Sequence, residues 1–246
     1  MSRRHNEDGA IYAIRERTRR YDGLRQLNDF THDQLAGRAV FFDAVGTLLY
    51  PTAPPQVTYA EAARRQGVAL DPARVLSRFR AAFRAEEEVD RAAGWVTSEV
   101  REVERWRRIV AASLPELPDP GRGFAELFAH FARPDAWAVR PGAGEILTEL
   151  DRRGVVLGIG SNLDARLFDI VAGHDGLRPV AGRVVVSAAV GYRKPSPEFF
   201  EAVIRAAGCP AGDVVFVGDE AVNDYDGASA AGMRAVLTES LVSGLA

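Results

Sequence analysis

The chain has 246 residues, of which 47% are hydrophobic and 26% charged, and its formal net charge at pH 7 is −3. This composition is typical of a globular protein rather than a disordered or fibrous one, and the slight negative charge argues against nucleic acid as the main partner. A single cysteine, Cys209, excludes an internal disulfide and a metal cluster built on cysteines.

The first residues of the chain include Arg3 and Arg4, with no apolar stretch behind them that resembles a secretory signal. No run approaches the ~18 apolar residues of a membrane helix. We therefore expect a cytoplasmic protein that does not bind membranes and that is a monomer or a homodimer. Residues 1–36 are predicted to form an N-terminal extension, in which residues 11–20 can be helical; no chemistry is assigned to it.

Short apolar runs alternate with helical patterns along much of the remaining chain. The first run spans residues 39–42 and ends at Asp43, and a turn containing Gly46 and Thr47 follows it. Further runs lie at 155–160, 183–187, 213–217 and 234–237, with helical patterns at 144–153 and 197–207. Continuous apolar strands that alternate with helices predict an α/β core, a doubly wound, Rossmann-like parallel sheet with helices on both faces.

Between residues 52 and 138 the strand-like runs vanish and apolar residues recur at helical spacing. These residues are Val75, Phe79, Phe83, Trp106, Ile109, Val110 and Leu114. We interpret residues 52–138 as an all-helical cap domain, inserted into a core that consists of residues 37–51 and 139–246. The aromatic residues of the segment are interpreted as the cap's own core.

Among the 31 basic residues of the chain, only Lys194 is a lysine. A lone lysine in an arginine-rich chain is either a stray surface residue or a compact point charge for an anion in a crowded pocket. Lys194 stands among the other polar residues that follow the predicted strands, and this position favours the second interpretation.

Polar side chains follow several of the predicted strands, at the edge of the sheet where ligands of such folds bind. Taken singly, each is weak evidence, because an aspartate at a strand end is more often a turn former or a helix cap. The signal lies in their combination and order. The candidate site residues are Asp43, Thr47, Ser161, Asn162, Lys194, Asp219 and Asp224.

In this order, the segments around those residues resemble the four motifs of the haloacid dehalogenase superfamily. The matching segments are Phe-Asp-Ala-Val-Gly-Thr-Leu at 42–48, Gly-Ser-Asn at 160–162, Gly-Tyr-Arg-Lys-Pro-Ser-Pro at 191–197, and Val-Gly-Asp-Glu-Ala-Val-Asn-Asp-Tyr-Asp-Gly-Ala at 217–228. The trailing Ala-Gly-Met at 231–233 also matches, and the resemblance covers about 200 residues from Val40 onward. It implies a hydrolase with a Rossmann-like core and a cap inserted after the first strand.

The resemblance also implies a mechanism and a cofactor. Asp43 would be the nucleophile that forms an aspartyl phosphate on a small phosphorylated metabolite, and water would then hydrolyse that intermediate. A Mg²⁺ ion would be held by Asp43, the backbone carbonyl of Val45 and Asp219, with Asp224 as a further ligand or a partner of the ligands. Lys194 would also be catalytic. The phosphate-binding donors would be Thr47, Ser161, Asn162 and Lys194.

The chain departs from the phosphatases of this family at Val45, where they carry a second aspartate that acts as general acid and base. Valine keeps the backbone carbonyl but cannot protonate a leaving oxygen, and loss of a general acid typically slows turnover by about 10²–10⁴-fold. Three explanations remain open. The substrate has a good leaving group, such as an acyl or aryl phosphate; a cap residue such as His130 or an acidic side chain supplies the proton; or the protein binds phosphate with little turnover.

Three other functions compete with a phosphatase. A 2-haloacid dehalogenase also lacks the second acid but needs no metal, whereas the paired acids Asp219 and Asp224 favour a cation. A pseudo-phosphatase would bind the phosphorylated ligand without turnover. A phosphonate hydrolase of this superfamily needs a Schiff-base lysine in the cap, and the predicted cap at 52–138 has none.

Overall fold

The computed structural model describes residues 38–238, so the predicted N-terminal extension, 1–36, and its helix at 11–20 lie outside the described residues. The strands are β1 (Ala39–Phe42), β2 (Leu49–Pro51), β3 (Trp137–Val139), β4 (Val156–Ser161), β5 (Val184–Val186), β6 (Val214–Gly218) and β7 (Arg234–Leu237). The α-helices are α1 (Pro55–Arg65), α2 (Pro72–Ala92), α3 (Glu99–Ser113), α4 (Pro120–His130), α5 (Ala143–Arg152), α6 (Arg166–Ala172), α7 (Ser187–Val190), α8 (Pro197–Ala207) and α9 (Gly227–Ala230). A π-helix, Ala221–Asp226, contains Asp224.

The main sheet has five parallel strands in the order β5-β4-β1-β6-β7. Strand β1 lies at its centre, where Phe42 is in register with Ile159 of β4 and Val217 of β6. All four residues of β1 are buried, as expected for a continuous apolar strand that is covered on both faces. The α/β doubly wound fold predicted from the sequence is confirmed.

Alternate residues of β1 pack into two different cores, one on each face of the sheet. Val40 and Phe42 belong to the cluster that includes residues of α5 and α6, whereas Ala39 and Phe41 belong to the cluster that includes Phe199 and Phe200 of α8. Successive side chains of a strand point to opposite faces of the sheet, so alternate residues of β1 contribute to each core. Burial on both faces fixes the position of β1, and with it the position of Asp43.

The segment between β2 and β3 contains the helices α1 to α4, which share a hydrophobic cluster of their own. Each of α2, α3 and α4 begins at a capped N-terminus, where the side chains of Asp71, Ser98 and Asp119 accept hydrogen bonds from backbone N–H groups of the first turn. The helical content of the segment agrees with the sequence interpretation, and its description as a separate cap domain stays a prediction. Within residues 38–238, no helix has the length and hydropathy that spanning a membrane requires.

Strands β2 and β3 form a short antiparallel pair that the sequence analysis did not predict. Leu49 is in register with Val139, so the pair joins the two chain segments that enter and leave the helices α1 to α4. Each strand is only three residues long, which is too short for a two-residue hydrophobic period to stand out.

Candidate active site

The carboxyl ends of β1, β4 and β6 bring three of the predicted site residues together. Asp43 directly follows β1, Ser161 ends β4 and Asp219 directly follows β6. The backbone N–H of Asp43 donates to the carbonyl of Val217 over 2.8 Å, so the strand pairing holds Asp43 in place. The Ser161 hydroxyl donates to Oδ1 of Asp43 over 3.0 Å. Since β1 lies between β4 and β6, Asp43 occupies the middle of the site.

Lys194 is buried and its ammonium group connects two of the acids. Nζ lies 2.6 Å from Oδ1 of Asp43 and 2.6 Å from Oδ1 of Asp224, and it also donates to the carbonyl of Gly160 over 3.3 Å. Lys194 is 3% exposed, which excludes the stray surface residue considered from the sequence. The lone lysine of the chain is therefore the positive charge at the centre of an acidic site.

Asn162 contacts Lys194 through the backbone rather than the ammonium group. Its Nδ2 donates to the carbonyl of Lys194 over 3.1 Å, and its Oδ1 accepts from the backbone N–H of Lys194 over 2.7 Å. The two bonds fix the backbone from which the lysine side chain extends. The sequence interpretation of Asn162 as a phosphate donor stays a prediction, and the observed contacts give it a positioning role.

Three carboxylates form a cluster at the strand ends, and two of them contact the ammonium group of Lys194. Asp43, Asp219 and Asp224 each place one oxygen so that the three atoms lie within 4.8 Å of one another. Thr47 is predicted from the sequence as a phosphate donor, and in the structure its hydroxyl donates a hydrogen bond to Oδ1 of Asp219 over 3.0 Å. Carboxylate oxygens at this spacing are the ligands that Mg²⁺ and similar hard cations prefer. This set of donors could therefore hold a divalent metal ion.

The electrostatics of the cluster favour an added positive charge. Burial raises the pKa of Asp43 to about 8, the Lys194 ammonium opposes that increase, and the carboxylates of Asp224 and Asp219 reinforce it. Burial alone lowers the pKa of Lys194, but its contacts with Asp224 and Asp43 outweigh this effect and raise the pKa above its ordinary value. Asp43 and Asp224 thus share one ammonium group while Asp219 adds a third negative charge, and a further cation would stabilise the ionised forms of the three acids.

The turn after β1 brings Asp219 close to the chain at a glycine. Gly46 has a φ of +98°, and a Cβ atom at this position would lie only 2.3 Å from Oδ2 of Asp219. The buried side chain of Arg140 donates from Nη2 to the carbonyl of Gly46 over 3.0 Å. The turn therefore requires glycine for its backbone conformation and for the room that Asp219 occupies.

We expect Gly46→Ala to destabilise the protein more than Gly67→Ala. Both glycines have positive φ, but a Cβ at Gly67 would have no atom within 4 Å, so this control isolates the backbone strain of about 1–2 kcal/mol. The overlap with Asp219 should add about 1–3 kcal/mol to the loss in Gly46→Ala. Urea denaturation of the two variants measures the difference, and equal losses would contradict the contact with Asp219.

A cavity of about 350 Å³ lies over the strand ends, between them and the helices α1 to α4. Asp43, Ser161, Lys194 and the other two acids line it from the sheet. Aromatic side chains line it elsewhere: Tyr59, Phe79, Phe83, Trp106, Phe124, Phe128, Phe131 and Trp137. The stripe interpreted from the sequence as the cap's own core therefore has a second role, since several of its rings also form a wall of the cavity.

The loop that carries Lys194 is joined to α2 and α3 through Arg193. This buried arginine forms ion pairs with Glu102 and with Asp90, the latter at 3.5 Å, and its backbone N–H donates to the carbonyl of Trp95 over 2.8 Å. Sequence reasoning missed this network. The available signal was a charged residue on an apolar helix face, such as Arg105 one turn before Ile109.

Sequence comparisons relate the chain to one family of hydrolases. A sequence family described as haloacid dehalogenase-like hydrolase matches residues 38–232. A mouse protein named haloacid dehalogenase-like hydrolase domain-containing protein 3 is 31% identical over 209 residues, which is 83% of this chain and 82% of that protein. A phosphoserine phosphatase from Thermus thermophilus is 33% identical over 121 residues, covering 48% of this chain and 47% of the phosphatase.

Among solved structures, L-2-haloacid dehalogenase from Xanthobacter autotrophicus has the same fold. It superposes with a TM-score of 0.63 at 22% identity, and the alignment covers 81% of this chain and 76% of the dehalogenase.

Proposed function

The chain belongs to the haloacid dehalogenase-like hydrolases, and we propose that it is a magnesium-dependent phosphatase acting on a small phosphorylated metabolite. The observation that carries the proposal is the cluster of Asp43, Asp219 and Asp224 at the sheet edge, in which Lys194 contacts Asp43 and Asp224. A site that hydrolysed an uncharged carbon–halogen bond would have no use for three carboxylates within 4.8 Å of one another, two of them buried, because their repulsion costs stability.

The donor set fits a Mg²⁺ ion. Asp43, Asp219 and Asp224 would hold it, and the carbonyl of Val45 is the further ligand implied by the family resemblance. When bound, the ion would offset the repulsion between the carboxylate of Asp43 and the dianionic phosphate.

The proposed reaction has two chemical steps. A carboxylate oxygen of Asp43 forms a bond to phosphorus while the bond from phosphorus to the leaving oxygen breaks, which gives an aspartyl phosphate. Water then attacks the same phosphorus and releases inorganic phosphate, so that Asp43 regains its carboxylate. Ser161 and Lys194 donate to Asp43, and these hydrogen bonds support our assignment of both residues as donors to the phosphoryl oxygens. Asn162 holds the backbone of Lys194 during both steps.

The leaving group must depart without a proton from residue 45, because Val45 lines the cavity and its side chain has no acidic proton to donate. His130, considered from the sequence as a substitute general acid, packs edge-on against Phe131 with ring centroids 4.9 Å apart. Glu87 is the acidic side chain that α2 contributes to the cavity wall. The aromatic wall supports the first of the three explanations, a leaving group of low basicity such as an aryl alcohol.

Val45→Asp is expected to raise turnover of alkyl phosphates, whose leaving oxygens need a proton. The gain could reach about 10²–10⁴-fold if the new carboxyl acts as a full general acid. Aryl phosphates should respond less, since their leaving groups depart as anions. The isosteric variant Val45→Asn cannot donate a carboxyl proton and is the control. The measurement is the steady-state turnover of one alkyl and one aryl phosphate by both variants. An equal change in alkyl phosphate turnover in Val45→Asp and Val45→Asn would contradict a general-acid role for the new carboxyl group.

The competing functions are separated by one set of assays on the purified protein. Phosphate release from 4-nitrophenyl phosphate is measured with Mg²⁺ and with EDTA, and chloride release from 2-chloropropionate is measured under both conditions. We expect phosphate release with Mg²⁺ only. Chloride release in EDTA without phosphate release would favour a dehalogenase, and binding of Mg²⁺ and phosphate without any turnover would favour a pseudo-phosphatase.

A further inference from the structure

We propose that Arg105 and Trp106 bind a carboxylate on the leaving group, so that the substrate is the phosphate ester of a flat aromatic alcohol bearing a carboxylate. This inference rests on the proposed function, because it concerns the same cavity that Asp43 lines. The proposed contact is with the part of the substrate that does not react.

The shape and lining of the cavity suit a flat apolar group. Its volume of about 350 Å³ lies at the lower end of the range of small-molecule sites. Its walls beyond the sheet edge are mainly aromatic, and the guanidinium carbon of Arg105 lies 4.4 Å from the ring centre of Phe83 and 5.9 Å from that of Trp106. Aromatic rings and a stacked guanidinium group favour a planar ligand over a flexible aliphatic one.

Two buried donors in this wall have no acceptor within the described part of the chain. Arg105 is 1% exposed, and although its Nε donates to Asp90 over 3.0 Å, its Nη2 has no hydrogen-bond partner. The indole Nε1 of Trp106 is also buried and without a partner. A buried donor without an acceptor costs free energy, and native proteins seldom keep one without a reason. A ligand acceptor in the cavity would satisfy both groups.

Arg105 belongs to a buried group in which charges balance. Asp90, its acidic partner, is shared with Arg101 at 2.7 Å and with Arg193 at 3.5 Å, while Glu86 and Glu102 pair with Arg101 and Arg193. The attraction for a ligand carboxylate therefore comes from the unused Nη2 donor rather than from excess positive charge. Glu87 also lines the cavity, but it is partly exposed and water screens it.

The other arginines that line the cavity have nearer acids. Arg166 forms two hydrogen bonds with Asp164, at 2.8 and 2.7 Å, and Arg193 pairs with Glu102. Arg105 is therefore the guanidinium group of the described cavity wall with an unused donor for a carboxylate.

The test compares two esters on the magnesium-loaded enzyme: 4-carboxyphenyl phosphate and phenyl phosphate. We expect KM to be about tenfold lower for the carboxylated ester, as for a charge-assisted hydrogen bond. Arg105→Gln should bring the ratio of the two KM values close to one, and Trp106→Phe should reduce it while keeping the aromatic ring. Arg108→Gln, at an exposed position of the same helix, should retain the full ratio.

Calorimetric binding of the two alcohols, 4-hydroxybenzoate and phenol, tests the same contact without catalysis. We expect the wild type to bind the carboxylated alcohol about tenfold more tightly and Arg105→Gln to lose that preference. Absence of phosphate release from every ester would overturn the proposed function, while the binding result would still test the role of Arg105. Equal binding of both alcohols by the wild type would overturn the inference. A preference for the carboxylated alcohol that survives in both Arg105→Gln and Trp106→Phe would also overturn the inference. If Arg105→Gln does not fold, Trp106→Phe still tests the contact.

Discussion

Replacement of Asp43 by asparagine is expected to lower kcat for phosphate release by about 10⁴-fold or more, the order of loss when a covalent nucleophile is removed. Asparagine has the same shape, but its amide cannot form the acyl phosphate. The fold should persist, because Lys194 keeps its contacts with Asp224 and with the carbonyl of Gly160. Circular dichroism provides the control for folding.

The same variant tests whether Asp43 becomes phosphorylated. Acid quench of the magnesium-loaded wild type during turnover of an aryl phosphate, followed by mass spectrometry of its peptides, should show one added phosphoryl group on the peptide containing Asp43. The modification should be absent in EDTA and in Asp43→Asn. Substantial turnover by Asp43→Asn, or a phosphoryl group on another residue, would contradict the assignment.

The second large effect is expected for Lys194→Met. The ammonium group is buried between Asp43 and Asp224, so its removal leaves buried acids without their positive partner. Breaking a buried ion pair on one side typically costs about 3–5 kcal/mol, and we expect a loss of this order in the free energy of unfolding, measured with urea in EDTA. Arg205→Met, which removes a charge from the exposed face of α8, should change stability by no more than about 0.5 kcal/mol.

Magnesium should partly restore the stability of Lys194→Met. A cation that binds the folded acids but not the unfolded chain stabilises the folded state by linkage, and the variant's uncompensated acids should increase that effect. Activity should not return, because the donor that Lys194 supplies beside Asp43 is gone. A stability loss no larger than that of Arg205→Met, or no response to magnesium, would argue against a cation-binding acid cluster.

Much of the fold was predictable because the central strands are buried on both faces. Such strands are continuous apolar runs, and the run that ends at Asp43 matches β1 residue for residue. The predicted helix at 197–207 likewise matches α8, which has proline in its first turn and glycine directly after its end. Strong local signals and tertiary burial agree at these positions, so sequence reasoning works there.

The candidate site was predictable as a set of residues but not as a set of contacts. Parallel strands bring their carboxyl ends together, which explains why Asp43, Ser161 and Asp219 could be grouped. The sequence could not reveal that Asn162 holds the backbone of Lys194, or that Thr47 contacts Asp219, because these hydrogen bonds depend on the path of the loops.

The aromatic wall of the cavity was the least predictable part of the candidate site. Phe83 and Trp106 occupy helical positions that suit either a core or a ligand pocket, and periodicity alone does not separate the two. Arg105 was overlooked because a charged residue in an arginine-rich helix is ordinary, and only the packing of α2 against α3 buries it. Sequence patterns identify the face of a helix but not the surface that it meets.

A crystal structure of the protein with Mg²⁺ and beryllium fluoride, a mimic of the phosphoryl group, would show whether Asp43 and the acid cluster form the reaction centre. We expect beryllium fluoride attached to a carboxylate oxygen of Asp43, the ion coordinated by Asp43 and Asp219, and the Lys194 ammonium beside the fluorides. A metal ion bound away from these acids, with Asp43 unmodified and Lys194 turned out of the cavity, would contradict it.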